Sequence, residues 1–352
     1  MLTARKELFT SLNFLEWQDY CVSQGAKPYR GSQIFSWIYR KYAVSPQEMS
    51  DIAKDFREKL EADFDWQLPE IVQRQVSRDG TIKQLLKLSD GTLVECVLMH
   101  YDYGKSVCVS SQVGCNMGCS FCASGQLKKQ RDLKSGEMMA QVLSFQRDLA
   151  MENQRISHIV VMGIGEPFDN YDEVLDFVKN ANDDRGLGIG ARHITISTCG
   201  IVPMIRRFAN EPYQFNLAIS LHAPTDALRD QIMPVNKAYP LSELMGVLDE
   251  YAALSNRRLT FEYILLKGFN DSPDCVRALA KLLRGRNAYV NLIPYNTVDN
   301  NGFQTVDYKS ALQFYDAVSK AGVKCTLRQK HGEDIDAACG QLRAFVSGEM
   351  KA

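Results

Sequence analysis

The chain lacks any run approaching the roughly 18 consecutive apolar residues of a membrane-spanning helix, which argues against a helical membrane protein. Met1 to Phe14 lacks the apolar stretch of a secretory signal, because Arg5, Lys6 and Glu7 interrupt it. A cytoplasmic location is the expectation. Net charge is missing too: 41 Lys and Arg stand against 42 Asp and Glu, which leaves −1. There is no global basic field, so any nucleic acid must be held by local patches. No internal repeat and no low-complexity segment occurs. The paired C-x2-C hairpins and cysteine–histidine pairs of structural zinc sites are likewise absent.

What is present is cysteine, ten residues in a chain of 352. Hydrophobic residues make up 45%, enough at this length for a full core without disulfide staples. In a cytoplasmic protein, metal or redox chemistry accounts for so many thiols better than structural disulfides do.

Residues 1–65 read as a small helical domain. Apolar residues recur at three- and four-residue spacing in Gln33–Tyr39 and Met49–Leu60, and Tyr29-Arg30-Gly31-Ser32 predicts a turn with an N-cap. Residues 66–104 read as a β-hairpin connector, Thr81–Leu88 and Thr92–Met99 about the turn Ser89-Asp90-Gly91. From 105 to 352 strands and helices alternate. Strands are expected at 106–111, 158–162, 193–197, 215–221, 258–265, 289–293 and 324–327, with helices between them. That alternation predicts an α/β fold, a parallel sheet closing into a full or partial barrel. Chemistry in such barrels sits at the C-terminal ends of the strands.

Cys115-Asn116-Met117-Gly118-Cys119-Ser120-Phe121-Cys122 follows the first barrel strand. Three thiolates so close can wrap one face of a 4Fe–4S cluster, in which each iron takes one ligand. Three ligands leave one iron open to the amino and carboxylate groups of S-adenosylmethionine, whose reductive cleavage yields a 5′-deoxyadenosyl radical. Gly114 and Gly118 are expected to let the loop bend tightly. The competing reading is a zinc site with a fourth ligand from elsewhere, for which the x3 spacing is unusual.

The other candidates stand at strand ends. Gly163, Gly165 and Glu166 end the second strand, where glycines admit a ligand and Glu166 suits an ammonium or hydroxyl. Ser197-Thr198-Cys199-Gly200, Ser220-Leu221-His222 and Asn291–Asn296 end three more. Each alone is as readily a loop cap or a structural histidine as a ligand contact. Their common face favours function.

Asp334-Ile335-Asp336-Ala337-Ala338-Cys339-Gly340-Gln341-Leu342 lies past the last strand, in polar surroundings ill-suited to a core cysteine. This segment, the cysteine loop and Met162–Pro167 together resemble the RlmN/Cfr family of radical S-adenosylmethionine RNA methyltransferases. The likeness runs through residues 25–343. It implies a partial (β/α)6-type radical SAM barrel and methylation of carbon 2 of adenosine in 23S rRNA and tRNA. Carbon 2 of adenine is electron-poor and cannot take a methyl group by simple displacement. In the family a thiol takes it first, which the resemblance assigns to Cys339. By the same resemblance Cys108 resolves the protein–RNA adduct as a Cys108–Cys339 disulfide, and Glu95 receives the carbon 2 proton. It also makes Gly165, Glu166, Ser197, Ser220, Leu221, His222 and Asn296 the contacts of S-adenosylmethionine. A one-electron donor such as flavodoxin and a thiol reductant are implied as partners. Glu166-Pro167 is similar to the carbon 2 branch of the family rather than the carbon 8 branch of Cfr. Cys199 stands where the family pattern has serine.

Tyr29, Arg30, Trp37, Tyr39, Arg40 and Lys41 mix aromatic and basic character on the N-terminal helices, as RNA binding would use. The alternative is an amphipathic packing face. Lys128, Lys129 and Arg131 are the better-placed basic patch beside the cysteine loop. Besides the carbon 2 methyltransferase, two readings compete: a radical enzyme with another substrate, and a zinc-stabilised RNA-binding protein without catalysis.

Overall fold

The structure is a computed structural model that describes residues 6–126, 128–296, 302–328, 332, 334 and 335. Its first unit is helical. β1 (Glu7–Leu8) leads into α1 (Phe14–Ser23), which Asn13 caps in a box with Glu16. α2 (Tyr29–Tyr39) and α3 (Lys54–Asp63) follow, and β2 (Phe64–Asp65) returns to pair with β1 in parallel. The turn expected at 29–32 is instead the first turn of α2, so Ser32 caps nothing. Gly31 is there for packing. A Cβ on it would lie 2.5 Å from the Gln18 backbone nitrogen, so glycine lets α2 touch the backbone of α1. Phe9, Trp17, Tyr20, Phe64 and Trp66 form the aromatic core of this unit.

The helical unit is fastened to the rest of the chain by polar contacts. Thr10 donates to the Gly136 carbonyl at 2.7 Å, and the Tyr39 hydroxyl donates to Thr10 and accepts from Asn180, each at 3.0 Å.

A ten-stranded sheet carries the remainder. β3 (Glu70–Val76), β4 (Ile82–Lys87), β5 (Leu93–Tyr101) and β6 (Gly104–Cys108) run as an antiparallel meander, with the expected hairpin between β4 and β5. The short pair β7 (Gln112–Val113) and β8 (Arg131–Asp132) flanks the cysteine loop, which carries the single-turn helix α4 (Ala123–Gln126). Then strands and helices alternate: α5 (Ser135–Met151), β9 (Ile156–Val161), α6 (Tyr171–Asn182), β10 (Ile194–Thr198), α7 (Val202–Ala209) and β11 (Asn216–Ser220). α8 (Asp226–Ile232), α9 (Leu241–Ser255), β12 (Leu259–Leu265), α10 (Pro273–Leu283), β13 (Ala288–Pro294), α11 (Tyr308–Lys320) and β14 (Cys325–Leu327) complete the series. The sheet order is β14-β13-β12-β11-β10-β9-β6-β5-β4-β3, and every pair from β6 to β14 is parallel. The hairpin segment thus extends the barrel sheet itself.

The sheet curls. In a flat sheet β14 and β5 would be seven strand spacings, about 34 Å, apart. Yet Arg328, one residue past β14, brings Nη2 to 3.7 Å from Sδ of Met99 on β5. Among the described residues, edge strands β3 and β14 do not pair, so the barrel is partial. Parallel direction brings the C-terminal ends of β6 and β9–β13 to one rim. No helix among the described residues is long and apolar enough to cross a membrane.

Candidate active site

The cysteine loop is built backbone against backbone. The β7–β8 ladder, Gln112 with Asp132 and Val113 with Arg131, clamps its base. Gly114 has φ +84°, and a Cβ there would fall 2.1 Å from the Lys128 carbonyl oxygen. Gly118, at φ +64°, turns the chain between Cys115 and Cys119. Both glycines act as their positions predict. Cys115, Cys119 and Cys122 are free thiols on the wall of one cavity of about 370 Å³, a size suited to a small molecule or cofactor. Burial pushes the Cys115 thiol up to about 12 and raises Cys119 and Cys122 as well. Thiols so placed become thiolates when a cation joins them, and loading a metal here releases protons. Among the described residues no three His, Cys, Asp or Glu side chains converge on a point sized for a single ion.

Glu95 of β5, Cys108 of β6, and Gly165 and Glu166 beyond β9 line the same cavity. So do Ser197 of β10, Ser220 at the end of β11, His222 and Asn296. Leu221 does not: its side chain is in the core, its N–H donates to the Glu262 carbonyl at 3.0 Å, and its own carbonyl accepts from Arg229 at 3.1 Å. Cys339 lies outside the described residues.

Glu166 is first a brace. Oε1 accepts from Phe168 N–H at 3.0 Å and Oε2 from Cys199 N–H at 2.8 Å, which ties the end of β9 to that of β10. Burial still raises its carboxyl above the ordinary range, against those hydrogen bonds. His222 sits at φ +57°, a conformation rare outside glycine. Its Nδ1 accepts from Ile264 N–H at 3.1 Å, which leaves the ring proton on Nε2. Burial, then the nearby Arg229 charge, pushes the ring down to about 3, so the imidazole is neutral at physiological pH.

Two charged groups escape any reading of spacing. Arg229 is fully buried and donates to the carbonyls of Cys199 (2.6 Å), Ser220 (3.2 Å) and Leu221 (3.1 Å) and to Oδ1 of Asn236 (2.8 Å). It sews the end of β10 to that of β11. Lys83 is also fully buried and pairs with Glu95 at 3.0 Å.

The expected basic patches are largely spent within the fold. Lys129 pairs with Asp132 and Asp169 at 2.8 Å each, and Arg131 with Asp90 (2.6 Å) and Glu137 (2.7 Å). They steady the cysteine loop, and only Lys128 of the three is exposed. On α2, Tyr39 is 1% exposed and belongs to the core. Trp37 donates to Asp51 at 2.5 Å beneath the Lys41 ammonium, and Arg40 beyond the helix end donates to the Asp184 carbonyl. The packing-face alternative therefore holds for Tyr39, while Tyr29 and Lys41 remain exposed.

Comparison with known proteins follows the same lines. Residues 109–282 match the model of the Radical SAM superfamily, and 9–65 match that of the ribosomal RNA large subunit methyltransferase N-terminal domain. A crystal structure of a radical SAM methyltransferase from Sphaerobacter thermophilus superposes with a TM-score of 0.92 at 41% identity, covering 96% of this chain and 98% of that one. A "probable dual-specificity RNA methyltransferase RlmN" of Spiroplasma citri is 53% identical over 94% of this chain and 95% of its own length. One of the same name from Enterococcus faecalis is 49% identical, with 97% of each chain covered. This chain belongs to the RlmN family.

RlmN membership makes the protein an RNA methyltransferase of the radical SAM type, and the zinc-stabilised, non-catalytic reading is set aside. It also implies a 4Fe–4S cluster and S-adenosylmethionine. The donor set fits: three free thiols line one cavity at the rim where the strands end. Like Arg229 and Lys83, Glu262 and Arg328 carry no mark in the sequence, yet these two line the cavity. Glu262 stands in ordinary-looking strand sequence beside Ser220, and Arg328 just past β14 is brought to the site by the curl of the sheet.

Proposed function

We propose that the protein methylates carbon 2 of adenosine in 23S rRNA, at the peptidyl-transferase centre, and in tRNA, 3′ of the anticodon. The observation that carries this reading is that one cavity holds Cys115, Cys119 and Cys122 together with Cys108 and Glu95. Cys115, Cys119 and Cys122 hold the 4Fe–4S cluster. Gly165, Glu166, Ser197, Ser220, His222 and Asn296 contact S-adenosylmethionine, with Leu221 acting through the backbone it positions. When bound, the two groups together supply a 5′-deoxyadenosyl radical, and a second S-adenosylmethionine supplies the methyl group.

The chain's own residues do the rest. Cys339 accepts the methyl group as a thioether and presents it to the base. Cys108 attacks that sulfur to free the methylated RNA, leaving a Cys108–Cys339 disulfide for a thiol reductant. Glu95, steadied by Lys83, takes the carbon 2 proton. Burial pushes the Cys108 thiol up to about 11, so this attack needs a base or a deprotonating partner near it. Residues 1–65 serve as the RNA-binding accessory domain, and 105–352 as the catalytic core joined through 66–104. The enzyme works in the cytoplasm with a one-electron donor such as flavodoxin.

Anaerobically purified protein should be brown, absorb near roughly 400 nm as thiolate-ligated clusters do, and lose that band in Cys115→Ala. Mass spectrometry of rRNA and tRNA from cells with and without the protein should show 2-methyladenosine only in the former. Cys339→Ala should carry no labelled methyl group, whereas Cys108→Ala should accumulate a covalent protein–RNA adduct. Labelled RNA product from Cys339→Ala, or 8-methyladenosine in its place, overturns the assignment.

A further inference from the structure

A polar row runs level across four strands, from Ser220 and Glu262 on the cavity wall to the exposed Thr326 on edge strand β14. The register sets Ser220 of β11 beside Glu262 of β12, Glu262 beside Asn291 of β13, and Asn291 beside Thr326 of β14. Residues level with one another on neighbouring strands face the same side. The hydrogen bonds follow: Asn291 Nδ2 donates to Glu262 Oε2 at 2.9 Å, and Thr326 Oγ1 donates to Asn291 Oδ1 at 3.3 Å. Glu262 is 7% exposed and lines the cavity. Among the described residues, Asn291 donates to its side chain at Oε2, and the rest of the carboxylate stands on the cavity wall. A carboxylate on a cavity wall accepts hydrogen bonds and donates none, so it suits a ligand that brings an N–H.

Arg328 supplies the opposite polarity. It lines the same cavity, reaches Met99 of β5 across the barrel mouth, and its charge acts on both Glu262 and Cys108. It therefore lies between the polar row and the wall formed by Glu95 and Cys108. The proposed function, on which this inference rests, puts carbon 2 of the target base at that wall. A base docked so presents ring nitrogens beside carbon 2 and turns its 6-amino group to the far side. Arginine only donates and a carboxylate only accepts, which matches acceptor nitrogens near Arg328 and the amino donor near Glu262.

We infer that Glu262, aimed by Asn291 and Thr326, accepts a hydrogen bond from the 6-amino group of the docked adenine while Arg328 donates to a ring nitrogen, so that this row selects adenine over a 6-oxopurine. A site built to bind a substrate N–H discriminates strongly against an analogue that lacks it, because its own polar group is then left unpaired. Inosine is the sharp probe. It keeps hydrogen at carbon 2, so the chemistry is open to it, but it places an acceptor oxygen against the carboxylate.

The test uses the reconstituted holoenzyme and full-length ligated tRNA carrying adenosine, inosine or purine riboside at the target position. The wild-type enzyme should prefer adenosine to inosine by at least about tenfold in kcat/KM. Glu262→Gln, whose amide can donate to the 6-oxo group, should lower adenosine methylation and shrink that preference by about tenfold or more. Its iron content and its KM for S-adenosylmethionine should stay at wild-type values. A Glu262→Gln enzyme that slows on all three RNAs alike, or that needs more S-adenosylmethionine at an unchanged preference, overturns the inference. In that event the carboxylate serves the adenosyl ribose or the fold instead. Should Glu262→Gln fail to fold, Thr326→Val decides: it should move the preference the same way by a smaller factor, and an unmoved ratio rejects the row. A wild-type holoenzyme that methylates none of the RNAs would instead remove the proposed function itself.

Discussion

Arg229 shows how one side chain can hold a site together without touching a ligand. Four acceptors from two strand ends and a helix share its guanidinium. Replacing it with Met leaves those acceptors buried and unpaired. Arg229→Met should therefore lose about 3 kcal/mol in urea unfolding of the metal-free chain. Arg229→Lys should recover only part, because an ammonium lacks the planar fork. A Met variant as stable as the parent would remove the bracing role. Among single residues, those fixed by local spacing were legible: the three loop cysteines, Gly114 and Gly118, and the strand-end Glu166, Ser197, Ser220 and His222. Leu221 shows the limit, since its neighbours line the cavity while its side chain is in the core. Lys83, Arg229, Glu262 and Arg328 carry no local signature. A charged residue inside a strand or a short helix reads as a solvated face until its neighbours in space are known.

Helices and strands follow from periodicity, which is a property of a short window. The strands expected at 158–162, 193–197, 258–265 and 289–293 are β9, β10, β12 and β13 with ends displaced by a residue or two. The error at the start of α2 came from Gly31. Glycine usually marks a turn, but here it marks a helix crossing whose partner lies on α1. Gly31→Ala should force the two helices apart and cost about 1–3 kcal/mol as an overpacked contact. Thermal unfolding measures this, with Gly25→Ala unsuited as a control because its φ is +77°. Gly246→Ala is the better control, since nothing lies within 4 Å of its added Cβ. Charge patterning failed similarly around the cysteine loop. Lys129 and Arg131 look like phosphate ligands in sequence, but acids from three other segments, Asp90, Glu137 and Asp169, occupy them.

For the molecule entire, curvature of the sheet is the decisive event, and a carboxylate clamp helps to hold it. Asp79, in the turn between β3 and β4, accepts from Thr81 N–H at 2.9 Å and from Gly332 N–H at 3.0 Å, while Asp334 accepts from Ser77 and from Arg78 N–H. Partial burial pushes Asp79 up, but the backbone N–H groups outweigh it and hold its carboxyl well below the usual range. The Ser77 hydroxyl lowers Asp334 likewise. A depressed carboxylate stabilises the folded state above its unfolded value of about 3.9 and stops doing so as pH falls through the folded value. The clamp should thus be at full strength above about pH 5 and weaken below about pH 4. Amide exchange at Thr81 and Gly332, corrected for intrinsic rates, should show protection lost on acidification, and Asp79→Asn should lose it at every pH. Protection in Asp79→Asn equal to the parent's would exclude the clamp.

Covalent neighbours and repeating spacing were enough to give this protein its cysteine loop and its order of strands and helices, because those features depend on residues a few positions apart; its family came from the likeness of its motifs to those of known relatives. Which strands curl toward which, and so whether Glu262 and Arg328 meet Glu95 and Cys108, depends on contacts between residues more than a hundred positions distant. Those contacts are set by the twist and packing of the whole sheet, which no short window of sequence encodes.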